Sequence, residues 1–333
     1  MTHMLRRAAL LLALLTLLPA WALADTAQSG SEPRSLLAAM AEANRSLDFQ
    51  GRFVYMHGNE LSTVKVRHAV INGHEYERLT HLDGQLAELI RRDDQVICIH
   101  PDRSITRLPA RSGLAPMPFQ ERLDRALPEQ YNVLLDGEGR VAGREAWQLR
   151  IAPLDTHRHG YRLWIDQDSN LLLKSEMVDA GGMVLERMEF VALDTAARLS
   201  EDDFAAPEAA MEVAIEGVDL GAYPQGRLEL DIEWLPAGFA VLDRDLRRAD
   251  PEHAPVSALA YGDGLASFTL FVEPVSADAA VEEGMSRMGP TVAVSRLLEQ
   301  GDSAWLVTLV GEIPQATAER VLAATRVQPD NAP

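Results

Sequence analysis

The chain has 333 residues, of which 47% are hydrophobic and 24% are charged, and its formal net charge is −19. A protein this acidic is not expected to bind nucleic acid, because contacts with phosphates need a cationic surface. Its one cysteine, Cys98, excludes an internal disulfide, so the fold must be stabilised by its hydrophobic core.

The first 24 residues predict a secretory signal peptide. Arg6 and Arg7 precede an apolar run over residues 8–18, which is too short to span a bilayer comfortably. The Ala-Leu-Ala sequence at residues 22–24 then fits the cleavage pattern. No cysteine lies nearby to be acylated, so a lipoprotein anchor is not expected. We therefore expect cleavage near Ala24 and a soluble extracytoplasmic chain, with an uncleaved membrane anchor as the alternative.

Residues 32–192 predict a mainly β domain. Apolar residues at helical spacing, among them Leu37 and Met40, first predict a helix over residues 32–45. Alternating patterns between Phe49 and Val191 then predict about ten strands. Turns are expected at Asp83-Gly84, Asp136-Gly137, Asp168-Ser169-Asn170 and Gly181-Gly182. Many strands joined by short turns predict one large antiparallel sheet, curved or barrel-like.

A second helix is predicted inside this domain, where Phe119, Leu123 and Leu127 recur every four residues between prolines. Residues 194–225 are acidic, rich in alanine and without a lasting period, which is typical of an interdomain connection.

A smaller α+β domain is predicted after this connection. Six short strands lie between residues 228 and 310, and a closing helix covers residues 315–325. The expected organisation is a signal peptide at 1–24, a first domain at 25–200, a linker at 201–225, a second domain at 226–327 and a tail at 328–333.

No catalytic motif is present in the sequence. It has no G-x-S-x-G elbow, no H-E-x-x-H and no Walker loop, so an enzyme and a cofactor are not expected. Residues 166–170 begin like a calcium loop, but Leu171 stands where glycine is needed and Met177 where glutamate is needed. A hairpin turn is therefore the better interpretation of this segment.

Two short pairs of residues could share a strand face as metal ligands. They are Cys98 with His100 and His157 with His159. Two ligands do not make a site, so a metal is not expected. The favoured interpretation is a small buried thiol and surface histidines.

A binding protein is the remaining interpretation. A curved sheet with helices on its concave side can enclose an apolar cavity. The candidates for lining it are Phe49, Phe53, Tyr55, Tyr76, Trp147, Tyr161 and Trp164, of which most are expected to be plain core. The candidates for an anionic headgroup are Arg91, Arg92, Arg103, Arg107 and Arg111, for which ordinary surface charge is the favoured alternative.

The order of several short motifs resembles the RseB/MucB family. They include DFQGRFVY at residues 48–55, HRHGY at 157–161, WLPAGF at 234–239 and YGDGLA at 261–266. No single motif is decisive, but the series follows the family in order over the mature chain. The resemblance implies a first domain like the lipoprotein carriers LolA and LolB, a half-open antiparallel β-barrel with helices in its concavity. It also implies a smaller C-terminal α+β domain.

The resemblance further implies a periplasmic negative regulator of the sigma-E envelope stress response. Such a regulator binds the periplasmic part of an RseA- or MucA-like anti-sigma factor, protects it from site-one proteolysis and is released by a lipid or lipopolysaccharide fragment. The contact candidates are Arg247, Arg248, Trp234, Phe239 and Tyr261. The alternative is a lipid or lipoprotein carrier of LolA type, which has no evident use for the second domain. A homodimer is left open.

Overall fold

The structure is a computed structural model. It describes residues 31–85, 87–93, 95–109, 127–206, 211–212, 229–247, 256–276, 283–300 and 303–328. The predicted signal peptide, most of the predicted second helix, Arg111 and the loop at 248–255 lie outside these ranges. None of the described helices is both long and apolar enough to cross a membrane.

Strands dominate both domains. Helix α1 spans Ser31–Ser46 and helix α2 spans Gln315–Ala323. The strands of the first domain are β1 (Phe49–His57), β2 (Glu60–Ile71), β3 (His74–His81), β4 (Glu88–Arg92), β5 (Gln95–Ile99), β6 (Ile105–Pro109), β7 (Tyr131–Val141), β8 (Arg144–Pro153), β9 (Gly160–Asp166), β10 (Leu172–Val178) and β11 (Val184–Asp194). Those of the second domain are β12 (Glu229–Ile232), β13 (Ala240–Arg247), β14 (Val256–Gly262), β15 (Ser267–Val275), β16 (Gly284–Met288), β17 (Thr291–Gln300), β18 (Ser303–Gly311) and β19 (Thr325–Gln328).

The first domain is one antiparallel sheet of eleven strands, in the order β6-β5-β4-β3-β2-β1-β11-β10-β9-β8-β7. The sheet curls, since β7 contacts β11 although three strands separate them. Helix α1 covers one face, called the inner face below, and buries Leu37 and Met40 in its core. The prediction of a mainly β fold with one large antiparallel sheet is confirmed.

One predicted turn in this sheet is wrong. Asp136 and Gly137 lie inside β7, where the register with β8 shifts, and Gly137 has a φ of +120°. They form a bulge, and a glycine at positive φ favours a bulge as much as it favours a turn. The hairpin turn lies at Ala142 and Gly143, whose φ values of +52° and +79° suit a tight two-residue connection.

The start of the predicted linker packs against the outer face of the first sheet. Residues Glu201–Phe204 form a single 3-10 turn, and the Phe204 ring lies 5.3 Å from the Tyr76 ring. The Arg78 guanidinium donates to the carbonyls of Asp203 and Ala205. This segment therefore belongs structurally to the first domain.

The second domain has its own sheet and its own core. The sheet is antiparallel with the order β13-β14-β15-β18-β17-β16, and β12 pairs with β19 beside it. Helix α2 packs on this sheet and buries Val321 and Leu322 against Leu270 and Leu309. The smaller α+β domain expected from the sequence is present, with β16 and β19 as additional strands.

Candidate functional site at the domain junction

The two domains meet around Arg158, which lies in the connection between β8 and β9. Its side chain is 0% exposed. Nη1 donates to Asp263 Oδ2 at 2.6 Å, and Nη2 donates to the Ala237 carbonyl at 2.7 Å. Nε donates to Asp155 Oδ1 at 3.1 Å. Two of the three acceptors come from the second domain, so a buried charge of the first domain is bound mainly by the second.

Two aromatic rings enclose the Arg158 guanidinium, one from each hydrophobic core. Its Cζ lies 5.5 Å from the ring centroid of Tyr131 and 5.3 Å from that of Phe239. Tyr131 belongs to the core of the first domain and Phe239 to the core of the second. A cation is attracted to an aromatic face, and the attraction is larger where water is excluded. The cation therefore joins the two cores.

Asp263 lies in the turn between β14 and β15, and each of its carboxylate oxygens accepts two hydrogen bonds. Oδ1 accepts the backbone N–H groups of Leu265 and Ala266, both at 2.8 Å. Oδ2 accepts Arg158 and the Tyr131 hydroxyl, the latter at 3.2 Å. Burial, followed by the negative charge of Asp263, raises the pKa of Tyr131 far above its usual range, so the hydroxyl stays protonated. A buried ion pair needs such additional hydrogen bonds to offset its desolvation.

Two further contacts join the domains without charge. Leu265 comes from the second-domain hairpin, yet it is 2% exposed and packs in the first-domain core. Gly58, after β1, meets Gly289, after β16, and a Cβ on Gly58 would lie 2.7 Å from the Gly289 nitrogen. Both glycines have positive φ, so only glycine fits this contact without strain.

The two histidines beside Arg158 also lie in the junction. His157 Nδ1 is 3.1 Å from Thr317 Oγ1, and its ring packs edge-on against Trp234. His159 is 6% exposed, so the prediction of surface histidines is wrong for it. The reason is that the β8–β9 connection is covered by the second domain, which alternation along a strand does not reveal.

His159 is neutral at pH 7. Burial, followed by the positive charge of Arg287, lowers its pKa to about 4. Asp179 and Glu312 oppose this shift, as does a hydrogen bond to the Ile313 backbone. Its Nδ1 is buried without a hydrogen-bond partner. The surroundings therefore disfavour a charged imidazole at this position.

The seven aromatic cavity candidates do not share one face of the first sheet. Phe49, Phe53, Tyr55, Trp147 and Tyr161 lie on the inner face, and Tyr76 and Trp164 lie on the outer face. Successive side chains of a strand point to opposite faces, so the seven cannot line a single cavity. This corrects the assignment of the two outer residues.

The inner and outer aromatic residues differ in their surroundings. Phe49, Phe53 and Tyr161 are at most 3% exposed and form plain core under α1, whereas Tyr55 and Trp147 are half-buried. On the outer face, Tyr76 is covered by the 3-10 turn and Trp164 by the Lys174 amine, which lies 4.4 Å from the ring. Among the seven candidates, Tyr55 and Trp147 are therefore the inner-face residues with accessible surface.

A cavity of about 260 Å³ lies beside Arg158, between the ends of β8, β9 and β10. Its walls include Ile151, Pro153, Gly160 and Val178. None of the seven aromatic candidates lines it. It is smaller than the roughly 300 to 1,000 Å³ typical of sites for drug-sized ligands.

The four arginine candidates that the structure describes do not converge on one site, and Arg111 lies outside the described residues. Arg91 lies on the inner face and binds Glu75 and Glu77, whereas Arg92 lies on the outer face over the Tyr76 ring. Arg103 is exposed in a turn, and Arg107 pairs with Glu212 at 3.3 Å. Because neighbouring strand residues point to opposite faces, Arg91 and Arg92 cannot act together on one headgroup.

Arg91 belongs to an inner-face charge cluster with His68, Glu75 and Glu77. Burial alone would lower the pKa of His68, but its hydrogen bond to Glu75 and the charge of Glu77 raise it overall. His68 Nδ1 also lies 2.8 Å from the Leu47 carbonyl, just after α1. Both ring nitrogens thus face acceptors, an arrangement that suits the doubly protonated imidazolium. The cluster ties the end of α1 to β2, β3 and β4.

Three of the candidates for anti-sigma contact, Trp234, Phe239 and Tyr261, lie inside or beside the junction. Phe239 and Tyr261 are at most 8% exposed, and both rings stack on Phe268 in the second core. Trp234 is half-buried under Arg320, 3.7 Å from its ring centroid. Arg247 ends β13, but its side chain and all of Arg248 lie outside the described residues. The first two candidates therefore offer no exposed ring in this arrangement.

Sequence reasoning did not identify Arg158 and Asp263 as the centre of the junction. Both stand in motifs noted for the resemblance, HRHGY and YGDGLA. The sequence indicates that both residues lie in turns. It does not show that these two turns, which belong to different domains, pair in the folded structure. The only hint in the sequence is that each motif places a charged residue, Arg158 or Asp263, close to an aromatic one.

Comparison with family models gives two matches in chain order. The model of the MucB/RseB N-terminal domain matches residues 32–208, and that of the MucB/RseB C-terminal domain matches residues 224–326. Among curated proteins, the sigma factor AlgU regulatory protein MucB of Pseudomonas aeruginosa is 37% identical over 305 residues, 91% of this chain and 94% of that protein. The sigma-E factor regulatory protein RseB of Escherichia coli K12 is 25% identical over 304 residues, 89% of this chain and 92% of that protein.

Solved structures agree with these matches. MucB in complex with MucA(peri) has a TM-score of 0.71 and 36% identity, and covers 90% of this chain and 99% of that one. The crystal structure of MucB has a TM-score of 0.58 and 33% identity, and covers 90% and 98%. The relatives are regulatory proteins, which confirms that the chain is not an enzyme.

Proposed function

The chain belongs to the MucB/RseB family, and on that basis we propose that it binds the periplasmic segment of a MucA- or RseA-like anti-sigma factor and so restrains a sigma-E-type factor. The observation that carries this proposal is the match to MucB bound to MucA(peri), which extends over 90% of the chain and both domains. A carrier of LolA type would need no second domain.

The direct test is a titration of the purified chain, without residues 1–24, with the periplasmic segment of a MucA- or RseA-like anti-sigma factor from the same organism. We expect saturable binding by calorimetry with one segment for each chain. A segment of the same composition in scrambled order is the control. Absence of heat and of any shift in gel filtration with the native segment contradicts the proposal.

We propose that the bound chain protects the segment from site-one proteolysis. A partner that covers an extended segment removes it from the population that a protease can cleave. The site-one protease and the free segment give the reference rate, and addition of the chain above its dissociation constant should slow cleavage about tenfold or more. Equal cleavage rates at saturation contradict this part.

The expected location and domain limits are proposals of the same kind. We place the chain in the periplasm after cleavage near Ala24, with a first domain that starts at residue 25 and includes the 3-10 turn after the expected limit at 200, and a second domain at 226–327. N-terminal sequencing of the exported protein tests the cleavage, and fractionation after osmotic shock tests the location. A product that keeps residues 1–24 in the membrane fraction contradicts both.

We propose that a lipid or lipopolysaccharide fragment releases the partner by binding the inner face. Tyr55 and Trp147 give this face accessible aromatic surface, while Leu37 and Met40 of α1 cover the rest. An acyl chain therefore needs α1 to move, which couples binding to a conformational change. Release by a factor of ten requires the lipid to prefer the partner-free form by about 1.4 kcal/mol.

The matched pair Trp147→Ala and Trp164→Ala tests where the lipid binds. Both tryptophans are half-buried, but they lie on opposite faces of the same sheet. We expect purified lipopolysaccharide to displace a fluorescent partner segment from the parent and from Trp164→Ala, and to act several-fold more weakly on Trp147→Ala. Equal sensitivity of the two variants contradicts the inner-face site. Transfer of lipid between vesicles without any binding of the segment would favour the carrier.

A further inference from the structure

Among the residues that the structure describes, the Arg158–Asp263 pair is the one ion pair between the domains in which both side chains are 0% exposed. A guanidinium presents its donors in a rigid plane, so its acceptors must lie in fixed directions. Here those acceptors lie on two separate segments of the second domain, Asp263 and the Ala237 carbonyl, and on Asp155 of the first. The group therefore specifies rotation as well as distance between the domains.

We propose that Arg158 is a positioning residue: together with Asp263 it holds the two domains in the orientation that binds the anti-sigma factor. This inference rests on the proposed function. Arg158 is buried and acts through the domain arrangement, without touching the partner. Its replacement changes partner affinity because the two domains no longer present one continuous surface.

The other junction contacts are less directional. Gly58 and Gly289 meet by van der Waals contact of backbone atoms, and His157 and Thr317 make a single hydrogen bond. Leu265 fills a core and is non-directional, as hydrophobic burial is in general. Two hydrogen bonds of Arg158 cross the junction to separate segments of the second domain, and the Tyr131 hydroxyl adds a third bond to the same Asp263 carboxylate, so we expect this group to contribute most to the orientation.

The overall similarity to two solved relatives indicates whether opening the pair should strengthen or weaken partner binding. The chain superposes on MucB in complex with MucA(peri) with a TM-score of 0.71 and on MucB alone with 0.58, over 90% of the chain in both cases. This structure, in which the Arg158–Asp263 pair is closed, is thus more similar overall to the MucA-bound relative than to MucB alone. We accordingly expect an opened pair to weaken partner binding.

The test uses Arg158→Met, Arg158→Lys and the control Arg144→Met. Arg144 makes a two-bond contact with Asp166, which is 0% exposed, through hydrogen bonds of 2.8 and 2.7 Å, although the Arg144 side chain is itself 24% exposed. That pair lies wholly inside the first domain. The control therefore removes a similar ion pair without touching the junction.

Two readouts are taken on the full two-domain chain with Cys98→Ser. Spin labels at Gln85→Cys and Glu273→Cys, which are exposed in the first and second domain respectively, report the interdomain distance. Fluorescence anisotropy with the labelled anti-sigma segment reports affinity. Thermal unfolding of every variant is recorded alongside.

Positioning predicts that Arg158→Met broadens the distance distribution and weakens segment binding at least about tenfold, which corresponds to about 1.4 kcal/mol. Arg158→Lys keeps the charge but lacks the planar donors, so we expect an intermediate result. Arg144→Met should lower the melting temperature and leave the distance and the affinity unchanged.

The proposal is overturned if Arg158→Met melts lower but keeps the parent's distance distribution and affinity, since the residue is then only structural. If Arg158→Met does not fold, Arg158→Lys decides: parent-like distance and affinity overturn the proposal as well. If the parent itself fails to bind the segment, the proposed function falls together with the role in binding. The label distances then still show whether the pair sets the domain orientation.

Discussion

The junction and the inner-face charge cluster both bury charge, but they depend on pH in opposite ways. At the junction the cation is an arginine, which stays charged at all relevant pH values, and the neighbouring His159 is held neutral with its pKa lowered to about 4. In the cluster the charged form of His68 is favoured, because burial lowers its pKa but Glu75 and Glu77 raise it overall. Acid therefore strains the contact between the domains, whereas base weakens the contact between α1 and its sheet.

Among substitutions in the two regions, Asp263→Asn should lower the free energy of unfolding the most. The change leaves the Arg158 guanidinium buried with one fewer anion, and an uncompensated buried charge costs about 3 to 5 kcal/mol. Urea unfolding at pH 7 measures the loss. Asp155→Asn is the matched control, because its carboxylate is 29% exposed and its loss should cost about 1 kcal/mol. Equal effects of the two substitutions would show that burial at Asp263 is unimportant.

His159 should make the junction sensitive to acid. A histidine whose pKa is lowered in the folded state contributes stability above about pH 6.5, and that contribution is lost as the pH falls towards 4. A shift from 6.5 to about 4 corresponds to about 3 kcal/mol. Unfolding free energies of the parent and of His159→Gln should therefore converge or cross as the pH falls from 7.5 to 4. Parallel curves would contradict this assignment.

His68 should show the opposite sign and a smaller effect. Its raised pKa means that its contribution is complete below about pH 6.5 and is lost as the pH rises through the folded pKa. His68→Gln removes charge-assisted hydrogen bonds and should cost about 2 kcal/mol at pH 6 and less at pH 9. Titration of the His68 ring by NMR measures the pKa directly, and a value below that of a free histidine would contradict the cluster.

The smallest effect is expected for Glu77→Gln. Burial raises the pKa of Glu77, although the charges of Arg91 and His68 oppose this. A neutral amide avoids that desolvation, and Arg91 keeps its contact with Glu75. We expect the unfolding free energy to change by less than about 1 kcal/mol at pH 7. A loss like that of Asp263→Asn would mean that the cluster and the junction are equally dependent on paired charge.

The strands could be predicted from the sequence because most of them alternate apolar and polar residues or are rich in branched and aromatic ones. Val64 and Val66, for example, lie at 4% and 0% exposure on the inner face. Strand β16 was not predicted, since all its residues are exposed and no face is apolar. The bulge at Gly137 was predicted as a turn because glycine favours both. Periodicity finds a strand only where one face is buried.

The candidate site was predicted less well, because its residues are defined by partners distant in sequence. Tyr76 and Trp164 have the same residue chemistry as Tyr55 and Trp147, and only the register assigns them to opposite faces. Arg158 and Asp263 are 105 residues apart. Nothing in either local segment shows that one will neutralise the other.

The position of Leu265 has a consequence for folding while the chain is being synthesised or exported. Leu265 completes the core of the first domain, yet it follows all eleven of that domain's described strands in the chain. A ribosome, or a secretion channel that passes the chain N-terminus first, therefore delivers the first domain with an unfilled gap in its core. The domain matures only when the β14–β15 hairpin arrives, so a chain truncated before residue 265 should be a target for chaperones and quality-control proteases.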